Sequence, residues 1–376
     1  MRSRSIAVPV SRGEEVRRKL LEMGVLRTEL RIERAGDNLY IPITAITAAT
    51  ADLGYPSLER EFSEGFTRVS SYRDLVHVPP RLKPLLPRAF DEIGDIVVLR
   101  LADQFRDFEG PIGDAILRWS PKVRTVAVDE GVYGELRVRK VRVIAGEPRT
   151  RAEHVEFGLR YLVDVERAYF SPRLGSERLR VARQVRPGEV VVDMFAGVGP
   201  YSVLIARTRT PKAVHAIDAN PAAVELLREN VRRNRADVIV HEGHGQDVLP
   251  KLAPVDRVIM DLPQSAMEFL GAVAASVREG GVVNFYTIAE RGRLHDAKEE
   301  ALRLARESGR KAEVLTVRVV RGYSPGKVQL AIDLRVTSAG RPSGPASGRT
   351  APRTPARRAR RGLRRRSART SRRRAN

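Results

Sequence analysis

Apolar and polar residues follow different periods in successive parts of this chain. Ile6-Ala-Val-Pro-Val10 is a short alternating run and predicts a strand. Ser11 then precedes RGEEVRRKLLEMGVL, where Val16, Leu20, Leu21 and Met23 share one helical face and Gly24 stands as a C-terminal cap. LRIER, a turn at AGDN and LYIPI complete a small α+β unit over residues 1–45, and the polar, weakly patterned residues 46–80 read as a linker. The texture then changes. IGDIVVLRL predicts a strand, DQFRDFEGPIGDAILRWSP a helix broken at Gly110-Pro111, and VRTVAVDE, YGELRVRKVRVIAG and EHVEFGLRYLVDV further strands. Between Leu136 and Val143 the apolar residues take one face, with Arg137, Arg139 and Arg142 among the polar positions. From about residue 176 to 337, short buried-looking strands (VVVDM, AVHAID, DVIVHEG, RVIMDLP, GVVNFYT, AEVLTVRVV) alternate with helical stretches such as NPAAVELLRENVRRN. That alternation predicts an α/β fold with a mostly parallel, doubly wound sheet.

Composition narrows the class. The 376 residues suit two or three domains, and 42% apolar content is enough for real cores. Absence of cysteine excludes disulfides, thiolate zinc sites, iron–sulfur clusters and a cysteine nucleophile. No apolar run reaches the ~20 residues of a membrane span, and MRSRSIAVPV lacks the apolar core of a signal peptide. A cytoplasmic protein that does not engage a membrane is expected. The formal charge of +22 points to a polyanionic partner. Residues 338–376 hold 14 Arg and no acid, leaving +8 on the first 337 residues. This tail has one large apolar residue, Leu363, and is expected to be disordered. It reads as an RNA-binding arm or as a solvated extension without a specific role.

The sharpest chemical feature is Val190-Val-Val-Asp193-Met-Phe195-Ala196-Gly197-Val-Gly199-Pro-Tyr-Ser202. An apolar strand ends in an acid and runs through a glycine turn into a helix, so a ligand can approach the backbone. The third glycine of the dinucleotide fingerprint is replaced by Ser202, which argues against a pyrophosphate. An acid at the strand end repels phosphate and suits an ammonium group. The next strand ends at Asp218-Ala219, about 20 residues on, where an acid is placed for both ribose hydroxyls. Its blander role is to cap the helix that begins at Asn220-Pro221. After the third strand, Gln246-Asp247-Val248 offers an acceptor for an adenine amino group, or a plain surface turn. Three acids at three consecutive strand ends describe a pocket for S-adenosyl-L-methionine, a nucleoside with a cationic amino-acid end. The fourth strand ends Asp261-Leu-Pro263-Gln264. This is an imperfect form of the Asn/Asp-Pro-Pro-aromatic signature of nitrogen-modifying methyltransferases, so an adenine or cytosine exocyclic amine is not favoured. The six His are scattered without ligand spacing, and no metal is expected.

Taken together, the chain resembles the archaeal tRNA (guanine-37 N1)-methyltransferase family, class I and S-adenosylmethionine-dependent. The resemblance rests on YFSPRLGSER (169–178), VVVDMFAGVGPYS and DRVIMDLPQSAMEFL. FDEIGDIVVLRL, GELRVRKVRVIAG and RGYSPGK support it, as does the N-terminal VPVSRGEEVRRKLLEMG…DNLYIPI. It spans roughly residues 1–337 and implies a small α+β tRNA-docking domain with linker (1–70), a β-rich α+β RNA-binding middle domain (71–165), a Rossmann-like methyltransferase domain (166–337) and the basic tail (338–376). The implied partner is tRNA, at its anticodon loop and body, bound by a monomer.

Guanine N1 is a poor nucleophile until its proton leaves, and charge then builds on O6, so the site needs a base and a cation. The resemblance assigns the base to Glu177, with Ser176 as a possible cap, O6 to Arg137 (or Arg139, one alternation on), and an aromatic wall to Tyr169. As plain sequence, Glu177 is an ordinary first-turn acid and Arg137 surface charge on a strand. The expected cofactor-contacting set is Arg178, Asp193, Phe195, Ala196, Gly197, Gly199, Asp218, Ala219, Gln246, Asp247, Val248, Asp261 and Pro263. Arg178 reads equally as a solvated helix arginine. The family usually has Asn where Asp261 stands. Asp261 is expected to accept from the guanine N1/N2 edge, or to share the base role. A wybutosine-pathway aminocarboxypropyl transferase, a wyosine-precursor methyltransferase and a non-catalytic RNA-binding protein are the alternatives. Intact acids at 193, 218 and 247 oppose the last.

Overall fold

A computed structural model describes residues 1–64, 70–133 and 138–338. Arg137 and the Arg-rich tail therefore lie outside the described residues. The N-terminal unit contains β1 (Arg2–Pro9), α1 (Gly13–Glu22), β2 (Glu33–Ala35), β3 (Asn38–Ile43), α2 (Ala48–Ala51) and β4 (Ser57–Glu61). Its antiparallel sheet has the order β2-β3-β1-β4 and packs Ile6, Val8, Ile41 and Ile43 against Val16 and Leu20 of α1. Leu21 and Met23 do not join that face: they are 50% and 39% exposed. A four-stranded sheet covers only a narrow helical stripe, which Val16 and Leu20 at i and i+4 already fill. Ser11 sits in a 3₁₀ turn and caps nothing, whereas Gly24 takes φ +68 just beyond the helix. Part of the expected linker is structured, because β4 pairs along β1 from Arg2↔Glu61 to Ile6↔Ser57. Ser-Leu-Glu-Arg-Glu hides this strand, since an edge strand exposes polar side chains.

The next unit holds β5 (Asp91–Ile93), β6 (Ile96–Leu99), α3 (Glu109–Trp119), β7 (Thr125–Tyr133) and β8 (Val138–Gly146), in the sheet order β5-β6-β7-β8. IGDIVVLRL is thus a hairpin end rather than one strand. Gly94 turns with φ +60, and a side chain there would meet the Glu153 carbonyl at 2.3 Å. α3 runs unbroken through Gly110-Pro111. The discontinuity lies earlier, where a 3₁₀ segment at Asp103–Phe108 gives way to α-helix. Pro111 is in the first turn, where a missing N–H costs no intrahelical bond. A two-stranded hairpin, β9 (Arg151–Glu156) and β10 (Leu159–Asp164), follows and leads into the large α/β unit.

That unit contains α4 (Gly175–Gln184), β11 (Val190–Asp193), α5 (Pro200–Thr208), β12 (Ala213–Asp218), α6 (Pro221–Arg233), β13 (Ile239–Glu242) and α7 (Gly245–Leu252). Then come β14 (Val255–Met260), α8 (Ala266–Ser276), β15 (Val277–Glu290), α9 (Leu294–Glu307), β16 (Arg310–Ser324) and β17 (Lys327–Ser338). The sheet order is β13-β12-β11-β14-β15-β17-β16, parallel through β15 and antiparallel beyond. This is the expected α/β class with one addition, β17, which inserts between β15 and β16. Covered on both faces, it buries Val328, Leu330, Ala331, Ile332, Leu334 and Val336 together with Gln329 and Asp333. The order reverses between β11 and β14, so a crevice opens at the carboxyl ends of those strands. Among the described residues no helix is long and apolar enough to cross a membrane.

The hairpin is tied to the crevice by Asn230 of α6, which is fully buried. Its carboxamide accepts from Leu162 N (2.6 Å) and donates to Leu162 O and Val198 O (3.0 Å each). Asn230→Ala leaves these buried groups unpaired and is expected to lower stability by about 2–3 kcal/mol. Urea unfolding checks it, and an unchanged midpoint would show that the hairpin does not rely on this bridge.

Candidate active site

The glycine turn after β11 forms one wall of the crevice. Gly197 (φ +55) and Gly199 (φ +86) adopt left-handed backbone, and a side chain at Gly199 would strike Leu227 Cδ1 at 2.3 Å. Asp193, the last residue of β11, is fully buried. Ser202 Oγ donates to its Oδ2 at 2.7 Å, while Oδ1 has no hydrogen-bond partner. The serine that breaks the dinucleotide fingerprint therefore serves the strand-end acid. Burial pushes the Asp193 carboxyl up to about 7, opposed by the Ser202 bond and reinforced by the charges of Asp261 and Asp218.

Asp218 ends β12 and ties the turn in place. It accepts from Gly197 N at 2.7 Å and from Asn220 N at 2.9 Å. It does not cap α6: Asn220 is the cap and accepts from Ala222 N, with Pro221 in the first helical position. Burial raises the Asp218 carboxyl and these two amides oppose the rise. Ala219 follows it, and Ala196 N donates to Ile217 O. Phe195 is half-buried with its ring 5.7 Å from Phe269 of α8. Gln246 and Asp247 are exposed in the first turn of α7, not in a surface turn, and Val248 packs inward. A side chain at Gly245 would meet Met194, so α7 starts hard against the chain leaving β11.

The opposite wall is built on α4. Leu174 precedes it without a side-chain cap, Ser176 is already helical, and Glu177 is in the first turn, only 1% exposed. Glu177 Oε1 accepts from Tyr286 OH at 2.8 Å and from Arg180 Nε and Nη2 at 2.9 and 2.7 Å. Arg180 is held in turn by Asp333, which also accepts from Asn284, Gln184 and Thr316. Arg178 is not a solvated helix arginine. It is 2% exposed and grips Glu156 of β9 through Nε (2.8 Å) and Nη2 (2.5 Å), with a bond to Ser171 O. A buried guanidinium demands a carboxylate, and the hairpin delivers one.

Asp261 follows β14 and is half-buried between the walls. Withdrawal of its carboxyl from water raises it to about 6; Arg178 and Arg321 oppose this and Glu177 adds to it. Gln329 of β17 donates to its Oδ1 at 3.4 Å, and Pro263 O accepts from Ile288 N. Tyr169 is 42% exposed at the rim. Its hydroxyl accepts from Arg321 Nη2 at 3.2 Å, and the Arg139 guanidinium lies 5.4 Å from its ring centre while pairing with Asp91. Thus Glu177, Asp261, Tyr169, Arg178 and the glycine turn converge on one crevice. Arg180, Tyr286, Arg318, Arg321 and Gln329 belong to the same surroundings and were not singled out. The RGYSPGK segment hinted at Arg321 alone.

Three domain profiles match the chain: the TRM5/TYW2 methyltransferase domain over residues 152–315, the TYW2 N-terminal domain over 73–150 and the tRNA methyltransferase 5 N-terminal domain over 5–51. The tRNA (guanine(37)-N(1))-methyltransferase Trm5b of Pyrococcus abyssi is 38% identical over 336 residues, covering 89% of this chain and 99% of that protein. Among solved structures, a complex of aTrm5 with tRNALeu superposes with TM-score 0.66 at 32% identity, covering 88% of this chain and 99% of that one. Methanocaldococcus jannaschii Trm5 in complex with adenosine gives 0.60 at 29%, covering 89% and 99%.

Asp261 and Asp193 act on stability with the same sign. The folded chain holds their protons more tightly than the unfolded chain does. The stability they contribute is full below the unfolded value of 3.8 and is lost as pH rises through about 6 for Asp261 and about 7 for Asp193. Asp261→Asn is therefore expected to gain on the parent as pH rises from about 4 to about 8, reaching about 2 kcal/mol. Unfolding by denaturant across that range measures it, and parallel curves for the two proteins would refute it.

Proposed function

The chain belongs to the tRNA (guanine-37 N1)-methyltransferase family, and we propose that it transfers the methyl group of S-adenosylmethionine to N1 of guanosine 37 in tRNA. The observation that carries the reading is the pair of acids in the crevice: Glu177, hydrogen-bonded through Oε1, and Asp261 at the switch point of the sheet, each feeling the other's charge.

The crevice fits the cofactor. Glycine backbone opens one wall, Asp193 Oδ1 is a buried acceptor without a partner, and each Asp218 oxygen takes a single amide and keeps a lone pair for a ribose hydroxyl. Asp193, Phe195, Ala196, Gly197, Gly199, Asp218, Ala219, Gln246, Asp247, Val248 and Pro263 would hold it, with Arg178 bracing the wall beside them. When bound, S-adenosylmethionine supplies a methyl group activated by its positive sulfur.

The chain's own residues do the rest. Glu177 takes the N1 proton as general base. Arg137 stabilises the charge that builds on O6. Asp261, where the family usually has Asn, accepts from the guanine N1/N2 edge. Tyr169 lines the base pocket at the rim, held by Arg321. Guanosine 37 must leave its stacked loop, at a cost of a few kcal/mol, to reach these groups. Arg and Lys side chains offset that through phosphate contacts, and the N-terminal α+β unit docks elsewhere on the tRNA.

Incubation with S-adenosylmethionine and unmodified transcripts bearing G or A at position 37, read by nucleoside mass spectrometry, tests the reaction. 1-Methylguanosine from the G37 transcript alone is expected. An aminocarboxypropyl adduct would instead make the protein the related transferase. Glu177→Gln is expected to slow methyl transfer by at least about 10²-fold with tRNA affinity retained. A variant as fast as the parent would remove Glu177 from the base role.

A further inference from the structure

The two oxygens of Glu177 are treated differently. Oε1 is saturated by Tyr286 and Arg180, and Arg180 is pinned by Asp333. Oε2 is sealed from solvent and makes no hydrogen bond. The Nη1 of Arg318 stands 2.9 Å from Oε2, an ion pair without hydrogen-bond alignment. Arg318 is also unlike Arg180: its side chain is 43% exposed, and no other partner holds it among the described residues. An exposed cation with no other partner among the described residues thus covers the one oxygen of Glu177 that makes no hydrogen bond.

We propose that Arg318 is a further catalytic residue, which covers Glu177 Oε2 until the guanine enters and then passes to O6 of that base. The inference rests on Glu177 being the base. Arg318 pairs across β16 with Ala331 of β17, which pairs with Tyr286 of β15, so its side chain starts from the sheet face that carries Tyr286 and Glu177. O6 is bonded to the ring carbon next to N1. A guanine that sets N1–H on Oε2 therefore brings O6 toward the guanidinium it has just displaced. Turned the other way, its N2 amino group would meet a cation and gain nothing.

The move acts twice. Departure removes a positive charge from the proton acceptor, and arrival places that charge where the reaction needs it. The N1–H bond breaks and a carboxyl O–H bond forms on Glu177. N1 gains the methyl carbon as that carbon's bond to sulfur breaks, and the proton leaves Glu177 for water after product release.

Single-turnover methyl transfer by Arg318→Met, Arg318→Lys and Glu177→Gln, on transcripts bearing guanosine or inosine at position 37, tests this. Arg318→Met is expected to be slower by about 10²-fold, with tRNA affinity within about threefold of the parent. Inosine keeps O6 and lacks the N2 amino group, so the same factor is expected on both transcripts. Arg318→Lys keeps the charge and is expected to recover part of the rate, which separates loss of chemistry from loss of fold. An unchanged rate in Arg318→Met beside an inactive Glu177→Gln overturns the role of Arg318 and leaves the base standing. An active Glu177→Gln removes the base itself. A loss of affinity at unchanged rate assigns Arg318 to phosphate binding, and a factor that vanishes on inosine puts it on the N2 side; each overturns the proposal.

Discussion

A carboxylate buried at the start of a helix is costly unless cations and hydroxyls surround it, and much of this molecule is arranged around that need at Glu177. The phenol of Tyr286 comes from β15 and the guanidinium of Arg180 from the next turn of α4. Arg180 would itself be a buried charge without Asp333, which β17 supplies from between β15 and β16. The inserted strand therefore completes the counter-charge of the site as well as the sheet. Asn284, Gln184 and Arg257 extend the same network to Glu189, so α4 is fastened to the sheet by polar contacts as much as by Val181 and Ala182.

The same logic fixes the other parts. Arg178 draws the β9–β10 hairpin onto α4 through Glu156, and Asn230 fastens that hairpin to α6 and to the glycine turn. Asp218 then binds the turn through Gly197 N. Each wall of the crevice is thus held by groups from a different element, which fixes the walls relative to one another.

Asp261 is the acid of the crevice whose protonation changes what it can offer. Withdrawn from water, and with Glu177 adding to the effect, its carboxyl binds a proton more tightly than an ordinary aspartate. In its protonated form it offers one donor beside its acceptor oxygen. Loss of that proton turns the same position into an acceptor only.

Much of the fold was legible in the chain: the strand–glycine–helix unit at 190–202, the alternation of strands and helices after it, and the acids at the ends of β11 and β12. These are local, because a period of apolar residues or a glycine with left-handed backbone is written in neighbouring positions. With the family resemblance, Glu177, Asp261 and Tyr169 were legible as candidates too. What sequence order does not contain is which distant residues meet. The edge strand β4, with one apolar residue, and β17, whose place is between two strands that precede it, were hidden for that reason. So were the partners of Glu177 at positions 180, 286 and 318, and the burial of Arg178 by Glu156. Charge neutralisation inside a protein is a matter of ångströms between side chains, and only the packing of the sheet, the hairpin and α4 brought those charges together.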